Sequence, residues 1–288
     1  MSWRVVVISN RAKLDYKMGF LIVRSEKVTK IHLSEISTLL IESTAVSMTA
    51  FLLSELVKKK IKVIFCDEKR DPISELSAYY GSHDTSSKVR QQIAWDERVK
   101  GNVWTEIVTE KIRQQMLLLE ELDHPEAKLL NNYLSEIQYR DETNREGHAA
   151  KVYFNAMFGM DFSRSQDNIT NAALNYGYTI ILSAVNREIV KSGYITQLGL
   201  FHDNMFNQFN LGSDLMEPFR PLIDRKVNQM QLEKFEHEEK MEMVDLLNSF
   251  VVIGGKQQFL NNAIGIYCRS IFDAINDNDM SLIQFYEL

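Results

Sequence analysis

The sequence predicts an α+β protein of two domains: a small N-terminal β-rich, antiparallel domain with its linker over residues 1–84, and a larger all-α domain over residues 85–288. Three observations predict it. The hydrophobic period changes from two to the helical value near residue 85. Residues 67–85 between the two patterns hold Asp71-Pro72, Gly81-Ser82 and several charges, all breakers of regular structure. The charge changes in the same region: residues 1–84 hold 13 Lys+Arg against 10 Asp+Glu, a net of +3, and residues 85–288 hold 20 against 29, a net of −9.

The first expected strand is Trp3-Arg4-Val5-Val6-Val7-Ile8, rich in β-branched residues. Strands over 13–18, 20–24 and 28–33 follow at short spacing, and 36–41 adds an apolar run. A helix over 47–57 interrupts them, with apolar residues recurring at three and four and Ser47 as its cap. Residues 61–66 read as a returning strand. Beyond the linker, a long helical run over 86–122 carries Ile93, Val99, Val103, Trp104, Ile107, Ile112, Leu118 and Leu119, with an interruption expected near Gly101. Later helices are expected over 125–139, 143–158, 167–191, 213–231, 240–249 and 259–274.

The bulk properties narrow the function classes. The chain has 288 residues, 45 % hydrophobic and 25 % charged, which is ordinary globular composition. No run of about 18 uncharged apolar residues occurs, so no membrane span is expected. The N-terminus lacks the parts of a signal peptide, and the expectation is a cytoplasmic protein. Cys66 and Cys268 are too few and too far apart for a disulfide framework or a zinc site, and read as reduced core thiols. The net charge of −6 argues mildly against nucleic acid. Much of the excess sits in Glu233, Glu236, Glu238, Glu239, Glu242 and Asp245, however, a solvated acidic face that need not touch a DNA path elsewhere.

Two segments carry candidate chemistry. In Asn144-Arg145-Glu146-Gly147-His148-Ala149-Ala150-Lys151-Val152-Tyr153-Phe154, helical spacing puts Glu146, Ala150 and Tyr153 on one face. The small Ala150 lets a ligand approach Glu146; the bland reading is a surface glutamate in a first helical turn. The second segment is Gly199-Leu200-Phe201-His202, followed by Asp214-Leu215-Met216-Glu217-Pro218-Phe219-Arg220-Pro221. A helix starting at Ser213 would place Asp214, Glu217 and Arg220 on one face, and two prolines inside it would each cost about 3 kcal/mol. The bland alternative is a kinked helix with an internal ion pair. Two carboxylates and an imidazole around an open position suit Mg²⁺ or Mn²⁺, which reverses the local repulsion of phosphate.

These residues resemble the CRISPR adaptation integrase, the enzyme that inserts new spacers into a CRISPR array, and look most like its type II-A branch. The matching pieces are Glu146-Gly147-x-Ala149-Ala150-x-x-Tyr153-Phe154, His202 in Gly199-Leu200-Phe201-His202, and Asp214 to Pro221, in the family's order and across the whole chain. The resemblance implies that 85–288 is the catalytic domain, with Glu146, His202 and Glu217 as metal ligands for Mg²⁺ or Mn²⁺. It implies a supporting or alternate metal role for Asp214. Many family members have Asp where this chain has Glu217, which adds one methylene of reach. His148 points away from the face that holds Glu146, and a structural or DNA-contacting role is expected of it.

The implied reaction is transesterification by a DNA 3′-hydroxyl at a repeat boundary. The implied partners are double-stranded DNA (the captured fragment and the CRISPR repeat with its leader), a second copy of this chain paired through the β-rich domain, and a small ferredoxin-like subunit. In type II-A systems the effector nuclease and a ring-shaped DNA-binding protein also take part. Candidate DNA contacts are Arg145, Lys151, Arg220 and Arg225, with the lysines Lys58, Lys59 and Lys60 also read as a dipole-favoured helix end. Two other classes stay open. One is a stand-alone metal-dependent phosphodiesterase acting on small nucleotides. The other is a non-catalytic DNA-binding scaffold.

Overall fold

A computed structural model of the chain describes residues 4–76 and 82–287. Trp3 of the first expected strand and Gly81 of the expected linker lie outside the described residues. The N-terminal part is built on two sheets. The first has the order β1 (Arg4–Ile8), β5 (Ile36–Ile41), β7 (Lys62–Cys66), β8 (Pro72–Leu76). Its first three strands are parallel, and β8 runs antiparallel to β7. The second sheet has the order β4 (Val28–His32), β3 (Phe20–Arg24), β2 (Ala12–Lys17), β6 (Val46–Met48), with β6 parallel to β2. The expectation of an antiparallel domain is therefore corrected. Period two reports that a segment is extended, not which way its neighbour runs.

Strand β5 shows why its sequence lacks alternation. All six of its residues are buried. Leu39 and Ile41 join Val63 in the core between the two sheets, while Leu40 joins Ile64 and Cys66 in the core of the helical part. A strand covered on both faces reads as a continuous apolar run. Helix α1 (Ala50–Lys58) lies between β6 and β7 in sequence, and its cap is Thr49, whose Oγ1 accepts from Leu52 N at 3.2 Å. The expected cap, Ser47, is instead paired with Lys13 in the sheet. Strand β8 also falls inside the expected linker.

The helical part contains α2 (Thr85–Ile93), α3 (Glu97–Glu121), α4 (Ala127–Glu136), α5 (Arg145–Phe158), α6 (Ile169–Lys191), α7 (Asn210–Met216), α8 (Arg220–Met230), α9 (His237–Asp245) and α10 (Leu260–Asp277). The long run breaks at residues 94–96, not at Gly101. Asp96 caps α3 through bonds from the Arg98 and Val99 amides, and α3 then runs unbroken. Gly101 lets the Tyr139 ring lie against α3, where a Cβ would stand 2.3 Å from its hydroxyl. Helix α6 is buried over most of its length and packs on α7, α8, α9 and α10, so its apolar residues surround it rather than form a stripe.

The all-α expectation is overturned by a three-stranded sheet near the C-terminus. Strands β9 (Phe250–Ile253) and β10 (Lys256–Phe259) form a hairpin, and β11 (Tyr286–Glu287) pairs antiparallel with β9. The turn is Gly254-Gly255, at φ +57° and +69°. Two consecutive positive φ values give the two-residue turn whose twist matches a hairpin, and glycine adopts them without strain. Lys256 lies opposite Ile253 across that turn.

Candidate active site

Four segments converge beside α3. Glu146 lies in the first turn of α5, which is fixed twice. Asp141 accepts the Arg145 and Glu146 amides at 2.7 and 2.9 Å, and Asn144 caps the helix through Gly147 N at 3.3 Å. Glycine is needed at 147, because a Cβ would stand 2.7 Å from the Asn144 side-chain oxygen. Ala149 and Tyr153 face the core, while His148 is exposed.

Glu217 sits where α7 ends. The expected helix over 213–231 is two helices joined by a 3₁₀ turn, Glu217–Phe219, and the first begins at Asn210 rather than Ser213. Pro218 and Pro221 each occupy a first turn, where no amide donor is required, so neither is strained. The break swings Glu217 toward α3, and its side chain is only 4 % exposed.

His202 is held by Asp214, whose carboxylate is fully buried. Asp214 Oδ2 accepts the Leu200 and Phe201 amides at 2.6 and 3.1 Å. Its Oδ1 accepts the His202 amide at 3.1 Å and faces His202 Nδ1 at 2.6 Å. The backbone folds so tightly here that a Cβ on Gly199 would lie 2.3 Å from the His202 carbonyl oxygen and 2.7 Å from Asp214 Oδ2. Trp104 stacks flat on Phe201 at 4.5 Å and meets the imidazole edge-on at 5.7 Å. The Asp214 hydrogen bond raises the His202 pKa against the opposing effect of burial, and the charges of Asp214, Glu217 and Glu146 add to the rise.

At the centre stands Lys111 of α3, which the sequence reading missed. Its Nζ lies 2.5 Å from Glu146 Oε1 and 2.5 Å from Glu217 Oε2. The ammonium is the partner of Glu217 Oε2, an oxygen otherwise closed off from solvent. Arg220 Nε holds the other oxygen, Oε1, at 2.8 Å, while its guanidinium stacks on the Tyr178 ring at 4.5 Å. Burial alone would raise the Glu217 pKa, but Arg220 and Lys111 overcome it and take it down to about 2. Lys111 carried one legible signal. It is seven residues after Trp104, on the buried side of α3, and a buried lysine is rarely unpaired.

Beneath the site, Asp224 accepts hydrogen bonds from Tyr153 Oη at 3.0 Å and from Tyr178 Oη. Burial pushes its pKa up to about 6, against the lowering effect of the two hydroxyls.

The fold thus brings Glu146 and Glu217 together on one positive charge, with His202, oriented by Asp214, near enough for both carboxylates to raise its pKa. Among the described residues, no three His, Cys, Asp or Glu side chains already stand together as metal ligands. The donor set nevertheless fits a cation. Two carboxylates from separate elements converge on a single ammonium. The imidazole gives Nδ1 to a carboxylate, the arrangement that turns Nε2 toward a metal. Both oxygens of Asp214 are taken by the 200–202 amides and His202 Nδ1. Of the expected DNA contacts, Lys151 is exposed. Arg145 pairs with Glu136 at 3.1 Å, Arg225 pairs with Glu121 at 2.7 Å, and Arg220 is committed to Glu217.

Comparison with known proteins shows the family and the fold. A family described as "CRISPR associated protein Cas1" matches residues 5–249. The chain is 35 % identical over 229 residues to the CRISPR-associated endonuclease Cas1 of Neisseria meningitidis serogroup C (strain 8013), covering 79 % of this chain and 75 % of that protein. It is similar in fold to a casposase bound to integration product, with a TM-score of 0.78 and 17 % identity, over 98 % of this chain and 93 % of that one. A chain of a Cas6-RT-Cas1–Cas2 complex matches with a TM-score of 0.76 and 18 % identity, over 99 % of this chain and 36 % of that one. No helix among the described residues is long and apolar enough to cross a membrane.

Proposed function

Because this chain belongs to the CRISPR-associated Cas1 family, we propose that it is a DNA endonuclease and integrase that inserts short DNA fragments into a CRISPR array. The observation that carries the reading is the pair of carboxylates, Glu146 and Glu217, facing one cation position beside an imidazole oriented by Asp214. The endonuclease name of the Neisseria relative and the integration product in the casposase structure support it.

The reaction is a phosphodiester exchange. The 3′-oxygen of the incoming fragment bonds to phosphorus at the repeat boundary, the bond from phosphorus to the repeat's own 3′-oxygen breaks, and the proton of the attacking hydroxyl ends on the departing oxygen or in solvent. A divalent cation, Mg²⁺ or Mn²⁺, held by Glu146, Glu217 and His202 would polarise the phosphate and stabilise negative charge on its oxygens. The protein's own part is positional. Arg220 keeps Glu217 ionised and fixed through Oε1. Asp214 fixes the His202 tautomer with Nδ1–H, leaving Nε2 as an acceptor. Trp104 and Phe201 wall one side with apolar surface, which excludes water and strengthens the electrostatics. With water in place of the 3′-hydroxyl, the same site is a nuclease.

The implied partners are double-stranded DNA, a second copy of this chain, and a small ferredoxin-like subunit. The Cas1–Cas2 complex among the structural neighbours supports the last. The effector nuclease and the ring-shaped DNA-binding protein are further candidates. Lys151 is exposed and available to phosphate, while Arg145, Arg220 and Arg225 are each held by a carboxylate and offer only part of their guanidinium groups.

The test is integration of short duplexes into supercoiled plasmid with Mn²⁺ and the small subunit present. Strand transfer in the wild type, abolished in Glu146→Ala and in His202→Ala, is the expected outcome. Full activity in either variant would sink the assignment. Cleavage of dinucleotides without integration would favour the phosphodiesterase, and chelator-insensitive DNA binding without transfer would favour the scaffold.

A further inference from the structure

We propose that Lys111 is a built-in counter-cation that occupies the carboxylate pair until a divalent ion takes its place, and that it must swing out for the site to load. The inference rests on the cation reading of the site given above. Its basis is geometric: one ammonium stands 2.5 Å from carboxylate oxygens of both Glu146 and Glu217, where a shared ligand of those oxygens would have to stand.

Charge and mobility say which group moves. Glu146, Glu217 and the buried Asp214 face two cations, Lys111 and Arg220, a net of −1 with the imidazole neutral. A divalent ion added beside both cations would leave a net of +1 in a buried space, and departure of the Lys111 ammonium brings it to zero. Arg220 is pinned by Glu217 Oε1 on one side and the Tyr178 ring on the other. Lys111 reaches both carboxylates with an ammonium carried on four flexible methylenes. Its way out lies past Glu146, whose side chain is 25 % exposed, whereas Glu217 is closed in at 4 %. The same lysine explains how two carboxylates coexist in a buried site before loading. Without it, like charges would repel and one would take up a proton. Lys111 is thus a positioning residue that keeps both ligands ionised and aimed, at the cost of competing for them.

Competition has a measurable sign. If the lysine-filled pocket is the dominant state, it lowers the apparent metal affinity by the fraction of molecules in which the pocket is open. In Lys111→Met the competitor is gone, and Mn²⁺, titrated by electron paramagnetic resonance, should bind roughly ten-fold tighter or more. The same variant should melt lower than wild type in chelator and recover most of the difference in Mn²⁺. Equal or weaker Mn²⁺ affinity in the variant overturns the proposal, because Lys111 would then be a fixed partner of the loaded site. Absence of Mn²⁺ binding in both proteins overturns the cation reading itself.

A second measurement needs no variant. Lysines of the wild-type protein are acetylated with and without Mn²⁺ and quantified by peptide mass spectrometry. Lys111, 10 % exposed, should be protected without metal and become several-fold more reactive with it, while the exposed Lys58 stays constant. Unchanged Lys111 reactivity at a Mn²⁺ concentration that saturates the protein overturns the proposal.

Discussion

Replacing Asp214 with Asn probes how the site holds His202. Each oxygen of this carboxylate serves two donors: Oδ2 takes the Leu200 and Phe201 amides, and Oδ1 takes the His202 amide and faces Nδ1. An amide has one oxygen to offer. If its nitrogen sits at the Oδ2 position, two backbone donors lose their acceptor, and at about 1.5–3 kcal/mol for each bond to a charged group the cost is about 3–6 kcal/mol. If it sits at Oδ1, only the His202 amide is left without a partner, because Nδ1 can become the acceptor of the new N–H. That arrangement costs about 1.5–3 kcal/mol and is favoured. It also moves the imidazole proton to Nε2, so the nitrogen meant for a ligand becomes a donor. The assay is nitrogen-15 NMR of the His202 ring, with amide hydrogen exchange alongside. The expected result is Nδ1–H in the wild type and Nε2–H in Asp214→Asn, a lower imidazole pKa, and faster exchange at His202. A variant that keeps Nδ1–H, with His202 exchange unchanged, would refute the reasoning.

Three further outcomes follow from the same packing. Gly199→Ala drives a methyl group against the His202 carbonyl, which is backbone and cannot step aside, so integration should fall by an order of magnitude or more and the melting temperature should fall with it. Gly177→Ala should destabilise by about 1–2 kcal/mol in urea titration, because a Cβ would meet Met243 at 2.4 Å and Ile223 at 2.5 Å and overpacking outweighs the helix-propensity gain of about 1 kcal/mol. Asp224 binds its proton more tightly folded than unfolded, up to about 6 against the ordinary 3.8. Its contribution to stability is therefore greatest below the unfolded value and is lost as pH rises from about 4 to 6, on the order of 2–3 kcal/mol. Chemical denaturation across that range should show this decline in the wild type, measured relative to Asp224→Asn.

The sequence displays what local patterns can display. Alternation at 13–18 and 20–24 marks strands, and Trp104, Ile107 and Ile112 mark the buried side of α3. Strand direction is invisible to that pattern, since β5 is extended whether its neighbours run parallel or antiparallel. The C-terminal hairpin was readable and missed: Val251-Val252-Ile253-Gly254-Gly255 carries a two-glycine turn after β-branched residues. Its third strand, Tyr286–Glu287, pairs across more than thirty residues and leaves no local mark. The prolines at 218 and 221 looked like strain because one helix was assumed; two helices remove it. Glu146, His202 and Glu217 were legible as residues through family resemblance, yet no spacing shows that they meet. Lys111 escaped because a lysine in a helix is ordinarily a solvated residue, and only the fold reveals the two carboxylates opposite it.

Whether Glu146, Glu217 and His202 hold one divalent cation is read out by soaking crystals in Mn²⁺ and collecting data at the manganese absorption edge. A single anomalous peak is expected, bonded to both glutamate carboxylates and to His202 Nε2, with the Lys111 side chain turned away. No peak at saturating Mn²⁺, or a peak elsewhere with Lys111 still between the glutamates, would rule out that cation site.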